Sequence, residues 1–246
     1  MITALYLIRH GETEGNDTRR YKGSIDVPLS EKGIEQMKGS SLFIQEYLGK
    51  ASFSKHMSYL KEIHKSPDDS VEELKCETQS SASELQNCRD SGLQAVYTSN
   101  LSRAVRSAGI IAEPYSLTPV ELPDLRERSF GLWEGMTFAE IREKYPEEFK
   151  AWANDPLRYS PVEGESTIGV KERILPSLNR ILSSHKGENI AVVAHDGVNR
   201  IILCHFLGMP LENIFRIEQD NAAVNIIEFW DKYPVVKLLN GGIRVY

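Results

Sequence analysis

The chain has 246 residues, with 29 basic and 35 acidic side chains and a net charge of −6, long enough to bury a sizeable core in one large domain or two small ones. An acidic chain without a basic tract speaks against nucleic acid or an anionic membrane surface as the main partner, and no apolar stretch approaches the ~20 residues of a membrane span. The amino terminus leads directly into an expected strand, leaving no room for a signal peptide, and three cysteines without metal-ligand spacing, Cys76, Cys88 and Cys204, suit reduced thiols in a cytoplasmic protein with no zinc site.

In chain order, Ala4 to Ile8 is a short apolar run, the pattern of a strand buried on both faces. It ends at Arg9-His10-Gly11, which places a cation and an imidazole at the carboxyl end of a central strand, with Gly11 easing the turn of the chain. A polar loop follows from Glu14 to Pro28, containing Asn16, Arg20, Tyr21, Lys22 and Gly23 and able to reach a ligand. Ser30 is the expected N-cap of a helix running to about Tyr47, with Ile34, Met37, Leu42 and Ile44 as its apolar residues. Residues 49–92 are rich in Ser, Lys, Glu and Asp and read as an insertion, either a small helical cap or a lid.

The second strand spans Ala95 to Ser99, and a helix to about Ile111 begins with Ser99 or Asn100 as its cap and Arg103 on its first turn. Its amino terminus offers free N–H groups and partial positive charge. A third strand is expected around Thr118 to Leu122, and helices over 137–144, 147–153 and 166–184. The run Asn189 to Ala194 is a second fully buried strand, and it ends in His195-Asp196-Gly197 before an apolar helix, repeating the opening pattern. Strands over 223–229 and 235–239 complete the sheet. Alternating strands and helices predict a three-layer α/β/α sandwich around a mostly parallel sheet, as one domain over 1–246. Parallel strands share one carboxyl edge, so Arg9, His10, Arg103 and His195 converge there on a pocket for a dianion, with phosphate the favoured occupant. Phe130, Trp133 and Trp152 read as core.

Together, Leu7-Ile8-Arg9-His10-Gly11-Glu12-Thr13, Ser99 to Ala104, Leu125-Arg126-Glu127 with Phe130-Gly131 and Glu134-Gly135, and Ala194-His195-Asp196-Gly197 resemble the histidine phosphatase superfamily, in its phosphoglycerate-mutase-like branch. The resemblance covers nearly the whole chain except residues 49–92. It implies that His10 is a nucleophile forming a phosphohistidine, with its other ring N–H held by a backbone carbonyl. It also implies that Arg9, Asn16, Arg103 and His195 bind the phosphoryl oxygens, helped by Asp196, through its N–H more than its carboxylate, and Gly197. Glu127 becomes the proton donor to the leaving oxygen and later the base that activates water, which requires a raised pKa; Asp124, Glu134 and Glu165 compete for that rim position. Arg20, Tyr21, Gly23 and Glu165 are candidates to touch the substrate's organic part, with helix capping an equal account of Glu165.

Positioning and charge stabilisation can be supplied by these groups without a metal or other cofactor. The mutase pattern, with Asn before the Glu and His-Tyr-Gly after it, is absent, and the segment Phe130 to Gly135 is similar to broad phosphatases and α-ribazole-phosphatase-like members. The expected activity is therefore hydrolysis of a small-molecule phosphomonoester. The alternatives are mutase-type phosphoryl transfer and a phospho-ligand binding module without turnover. The sequence leaves the oligomeric state open, a homodimer included.

Overall fold

The computed structural model of the chain describes residues 2–15, 20–50, 92–230 and 233–242. The expected insertion lies outside the described residues except at its two ends, and so do His56, His64, Cys76 and Cys88. Among the described residues a six-stranded sheet is built from β1 (Thr3–Arg9), β2 (Ala95–Thr98), β3 (Val120–Glu121), β4 (Asn189–Ala194), β5 (Val224–Phe229) and β6 (Pro234–Gly241), in the order β3-β2-β4-β1-β5-β6. β3, β2, β4 and β1 are mutually parallel, and β5 runs against both β1 and β6.

Side-chain alternation along β1 divides the core into two halves. Leu5 and Leu7 face α5 (Thr167–Ser184) and α6 (Asp196–Phe206), packing with Val170, Ile174, Leu178, Val198 and Ile202. Ala4, Tyr6 and Ile8 face α1 (Glu31–Lys50) and α2 (Ser102–Ala112), against Met37, Ile44, Ala108 and Ile111. The sandwich thus has three layers, as the alternation of elements predicts. Two short helices, α3 (Phe138–Lys144) and α4 (Pro146–Asn154), follow the Glu127 segment and pack through Phe138, Phe149 and Trp152.

Several local expectations are corrected. β3 is a two-residue edge strand because Pro119 and Pro123, which lack an N–H, bracket it. Leu42, expected on the apolar face of α1, is 55% exposed. α2 is not capped by Ser99 or Asn100: the side chain of Asp26, from the polar loop, accepts from Ser102 N (2.8 Å) and Ser102 Oγ (2.7 Å). That cap is tertiary, so no local pattern marks it. Ser30 does cap α1, accepting from Gly33 N at 3.0 Å.

The chain leaving β1 is pressed against the start of α1. A Cβ on Gly11 would lie 2.3 Å from the Gly33 carbonyl oxygen, and one on Gly33 would lie 2.0 Å from that of Glu12. Close approach to α1, rather than a positive φ, is what Gly11 provides. Gly33→Ala should therefore destabilise the protein by about 2–3 kcal/mol, although helix propensity alone favours Ala by ~1 kcal/mol. Gly49→Ala, with no atom within 4 Å of the added Cβ, should be neutral or stabilising. Urea unfolding of the two variants checks the opposite signs.

Candidate active site

Backbone register delivers the two histidines to one place. In the parallel ladder of β1 and β4, Arg9 pairs with Ala194, and His10 N donates to Ala194 O at 3.0 Å, so His10 and His195 leave neighbouring strands at one level. Their ring centroids are 5.1 Å apart. On the far side of β4, Thr98 pairs with Val193, which brings Ser99 against His195.

Hydrogen bonds assign the tautomers. His10 Nδ1 lies 2.7 Å from the Gly11 carbonyl, which can only accept, so Nδ1 carries the proton and Nε2 keeps its lone pair. Ser99 Oγ accepts from Leu101 N (3.4 Å) and lies 2.7 Å from His195 Nε2, which it can meet as donor or acceptor. Among the described residues His195 Nδ1 and Arg9 Nε are buried without a partner. Arg9 Nε is a buried donor at the strand end, which suits an anion. Burial, reinforced by Arg9 and Arg103, holds the His10 pKa well below the ordinary imidazole value. Burial likewise lowers that of His195, with His10 and Arg103 adding to it.

His10 lines a cavity of about 380 Å³, together with Arg9, Arg103, Glu127, Asp196, Gly197 and the loop residues Arg20, Tyr21 and Gly23, whereas His195 is fully buried behind the His10 ring and is not part of that lining. Sequence positions spread over most of the chain thus share one space. Arg103 is 2% exposed, and its guanidinium donates to the carbonyls of Gly23 and Ile25, both at 2.7 Å. It therefore holds the polar loop as well as lining the cavity. Arg9 donates to the Gln219 carbonyl and lies 3.8 Å from Asp196. The Asp196 carboxylate, expected to matter less than its N–H, binds Arg200 Nε at 3.0 Å.

Glu127 is separated from its acidic neighbours by its partners. Its Oε2 accepts from Gly197 N at 3.1 Å and its Oε1 from Arg128 N at 2.9 Å. Burial raises its pKa despite those two bonds, and Asp196 adds to the rise. The elevation thus precedes any bound phosphate. Asp124 is engaged by Ser177 and Arg180, and Glu134 accepts from the backbone of Ser24 and Phe130. Glu165, a candidate substrate contact, is instead clasped by Arg173 at 2.8 and 2.9 Å and accepts from Ser129 N, outside the cavity lining. It does not cap α5 either; Ser166 does, accepting from Gly169 N. Asn16 lies outside the described residues.

Other lining residues went unassigned from sequence. Phe130 and Trp152, expected as core, line the cavity, and Phe130 packs on Tyr21 with centroids 4.7 Å apart; Trp133 is core, 3% exposed. Lys22 also lines it, with Nζ 2.7 Å from Thr13 Oγ1. Arg128, Arg200 and Phe215 also line it. Arg200 had a signal available, since it follows Gly197 by three positions on α6 and so shares its face. Phe215 had none. Among the described residues no group of three or more His, Cys, Asp or Glu side chains could hold a metal ion, and no helix is long and apolar enough to cross a membrane.

The family model described as histidine phosphatase superfamily (branch 1) matches residues 5–55 and 74–241. The chain belongs to that superfamily. Within this histidine phosphatase the family model leaves out only residues 56–73 between its two matched segments, so it also covers 49–55 and 74–92, parts of the stretch expected as an insertion outside the resemblance. Phosphoserine phosphatase 1 of Hydrogenobacter thermophilus is 29% identical over 97% of the chain and 92% of its own length. The metal-independent phosphoserine phosphatase of Arabidopsis thaliana is 30% identical over 96% and 80%. In fold, the crystal structure of the α-ribazole phosphatase of Shigella flexneri superposes with a TM-score of 0.74 at 24% identity, covering 99% of both chains.

Arg103 joins anion site to loop, so Arg103→Met should weaken binding of inorganic phosphate by about tenfold to a hundredfold, the loss of one or two charge-assisted hydrogen bonds. Isothermal titration with phosphate measures it; unchanged affinity would remove Arg103 from the anion site.

Proposed function

We propose that this histidine phosphatase hydrolyses small phosphomonoesters through a phosphohistidine on His10, without a metal cofactor. The observation that carries the proposal is the His10 tautomer: Nδ1 is committed to the Gly11 carbonyl, so Nε2 offers a neutral lone pair in the cavity that also holds Glu127. His10 Nε2 attacks phosphorus in line, and the P–O bond to the organic group breaks. Glu127 delivers its proton to the departing oxygen. Arg9, Arg103 and His195 Nδ1 receive the phosphoryl oxygens, a task of positioning and charge stabilisation. The Glu127 carboxylate then takes a proton from water, the water oxygen attacks phosphorus, and the P–N bond breaks to release inorganic phosphate and restore His10. Asn16 belongs to the proposed phosphate site, and Gly197 acts by holding Glu127. Relatives named as phosphoserine phosphatases and an α-ribazole phosphatase support a small phosphorylated metabolite as substrate. A cytoplasmic enzyme is part of the proposal; the sequence leaves the oligomeric state open, a homodimer included, and light scattering on the purified chain decides it.

His10→Ala should abolish acid-labile labelling from a ³²P-phosphomonoester and hydrolysis of p-nitrophenyl phosphate in the presence of chelator. Hydrolysis persisting at the wild-type rate removes the covalent route. Conversion of 3-phosphoglycerate to its isomer, in place of phosphate release, would make the enzyme a mutase. Phosphate binding without any turnover would make the protein a binding module.

Glu127→Gln should lower kcat/KM for alkyl phosphates by about 10²–10⁴-fold, and for p-nitrophenyl phosphate less, because its leaving group needs no proton in the first step; the shared water step slows kcat for both. The pH profile follows from the two shifted groups. His10 attacks only when neutral, so its lowered pKa places the acid limb of kcat/KM well below 6.5. Glu127 donates only when protonated, so activity is lost as pH rises through its raised pKa, on a limb above 4.5. Glu127→Gln should erase that alkaline limb for alkyl phosphates.

A further inference from the structure

The cavity holds more positive charge than a phosphate needs. Six cations and two carboxylates line it, within a chain of net charge −6. Most of these cations are committed. Arg9 and Arg103 belong to the proposed phosphate site. Arg20 grips Glu140 with two nitrogens and donates to the Gly135 carbonyl. Arg128 donates to the carbonyls of Glu165 and Tyr159 and to Thr167 Oγ1, so its guanidinium is spent on the scaffold.

Arg200 differs from these. Among the described residues its hydrogen-bond and ion-pair partners are carboxylates: Asp196 at 3.0 Å through Nε, and Glu218 at 3.8 Å, whose side chain is 73% exposed. Arg200 is itself only 13% exposed, and it lies 6.0 Å from the ring of Phe215, which is 70% exposed at the same wall. Position along α6 gives this charge its meaning. Gly197 N holds Glu127, the group proposed to protonate the leaving oxygen. Arg200 lies three residues on, on the same helix face and ~4.5 Å further along the axis. Glu127 and Arg200 line the same cavity, so a leaving group that starts at Glu127 shares that space with a partly buried guanidinium.

Resting on the phosphomonoesterase reading above, we infer that Arg200 is a specificity residue that receives a carboxylate on the alcohol half of the substrate. A guanidinium presents paired donors that match a carboxylate, and one already shared with Asp196 suits a single added negative charge. Phe215, Ile201 and Ile214 line the cavity around it and can pack the short carbon chain between ester and acid.

Matched substrate pairs test the assignment in the full-length chain: O-phosphoserine against phosphoethanolamine, and 3-phosphoglycerate against glycerol 3-phosphate. Each pair shares its phosphate end and differs by the carboxylate. The wild type should favour the carboxylate member by about tenfold in kcat/KM, one charge-assisted contact. Arg200→Gln should bring that ratio close to one in both pairs, and Arg200→Lys should restore part of it. Because the readout is a ratio, a general disturbance of Asp196 or Arg9 moves both members and leaves it unchanged. A wild-type ratio near one, or a ratio untouched by Arg200→Gln, overturns the inference. If p-nitrophenyl phosphate is turned over through phosphohistidine but the pairs show no preference, only the carboxylate assignment fails. If neither turnover nor phosphohistidine is found, the hydrolase reading fails and this inference with it.

Discussion

The parallel ladder between β1 and β4 is the constraint on which the site depends. A strand's side chains alternate, so a slip of one residue would turn every buried residue to the opposite face. Leu5 and Leu7 on one side, and Tyr6 and Ile8 on the other, are all 2% exposed or less and pack against different helices, which makes such a slip prohibitive. With the register held by the core, Arg9 must lie opposite Ala194, and the histidines that follow must leave the sheet together. The pairing of the two imidazoles is thus a by-product of hydrophobic packing several residues away.

Burial then sets the protonation states. The same desolvation that keeps two imidazoles neutral beside arginines raises the pKa of Glu127. A neutral imidazole and a protonated carboxyl are opposite outcomes, yet burial beside one cationic cavity favours both. Neutral imidazoles also spare the fold the cost of additional buried positive charge next to Arg103.

Around this centre, acidic residues divide into two kinds by the donors they meet. Asp26, Glu134 and Glu165 are consumed by backbone N–H groups, hydroxyls and Arg173, and they hold loops in place. Asp26 joins the polar loop to the start of α2, and Arg103 ties the same loop through the carbonyls of Gly23 and Ile25. The loop that lines the cavity is therefore anchored by a helix that also lines it. Glu127, by contrast, accepts only two backbone N–H groups and faces the cavity.

Much of this was legible in the residues themselves. Two apolar runs, each ending in His and Gly, state that two buried strands finish in imidazoles, because a fully buried strand has little alternative to unbroken hydrophobicity. Alternation of such runs with amphipathic helices implies a parallel sheet, and hence one shared carboxyl edge. The family resemblance singled out Glu127, but the residues alone did not separate it from Asp124, Glu134 and Glu165, since four nearby carboxylates look alike until their donors are known. Nor were the aromatic wall of Phe130 and Trp152, the Asp26 cap or the placement of Phe215 legible, whereas the spacing of Arg200 from Gly197 was a signal the sequence did offer. Local pattern reports how each segment meets water, and that suffices for strands, helices and their ends. Which side chain faces which across the cavity depends on contacts between segments far apart in the chain, and only tertiary packing decides those.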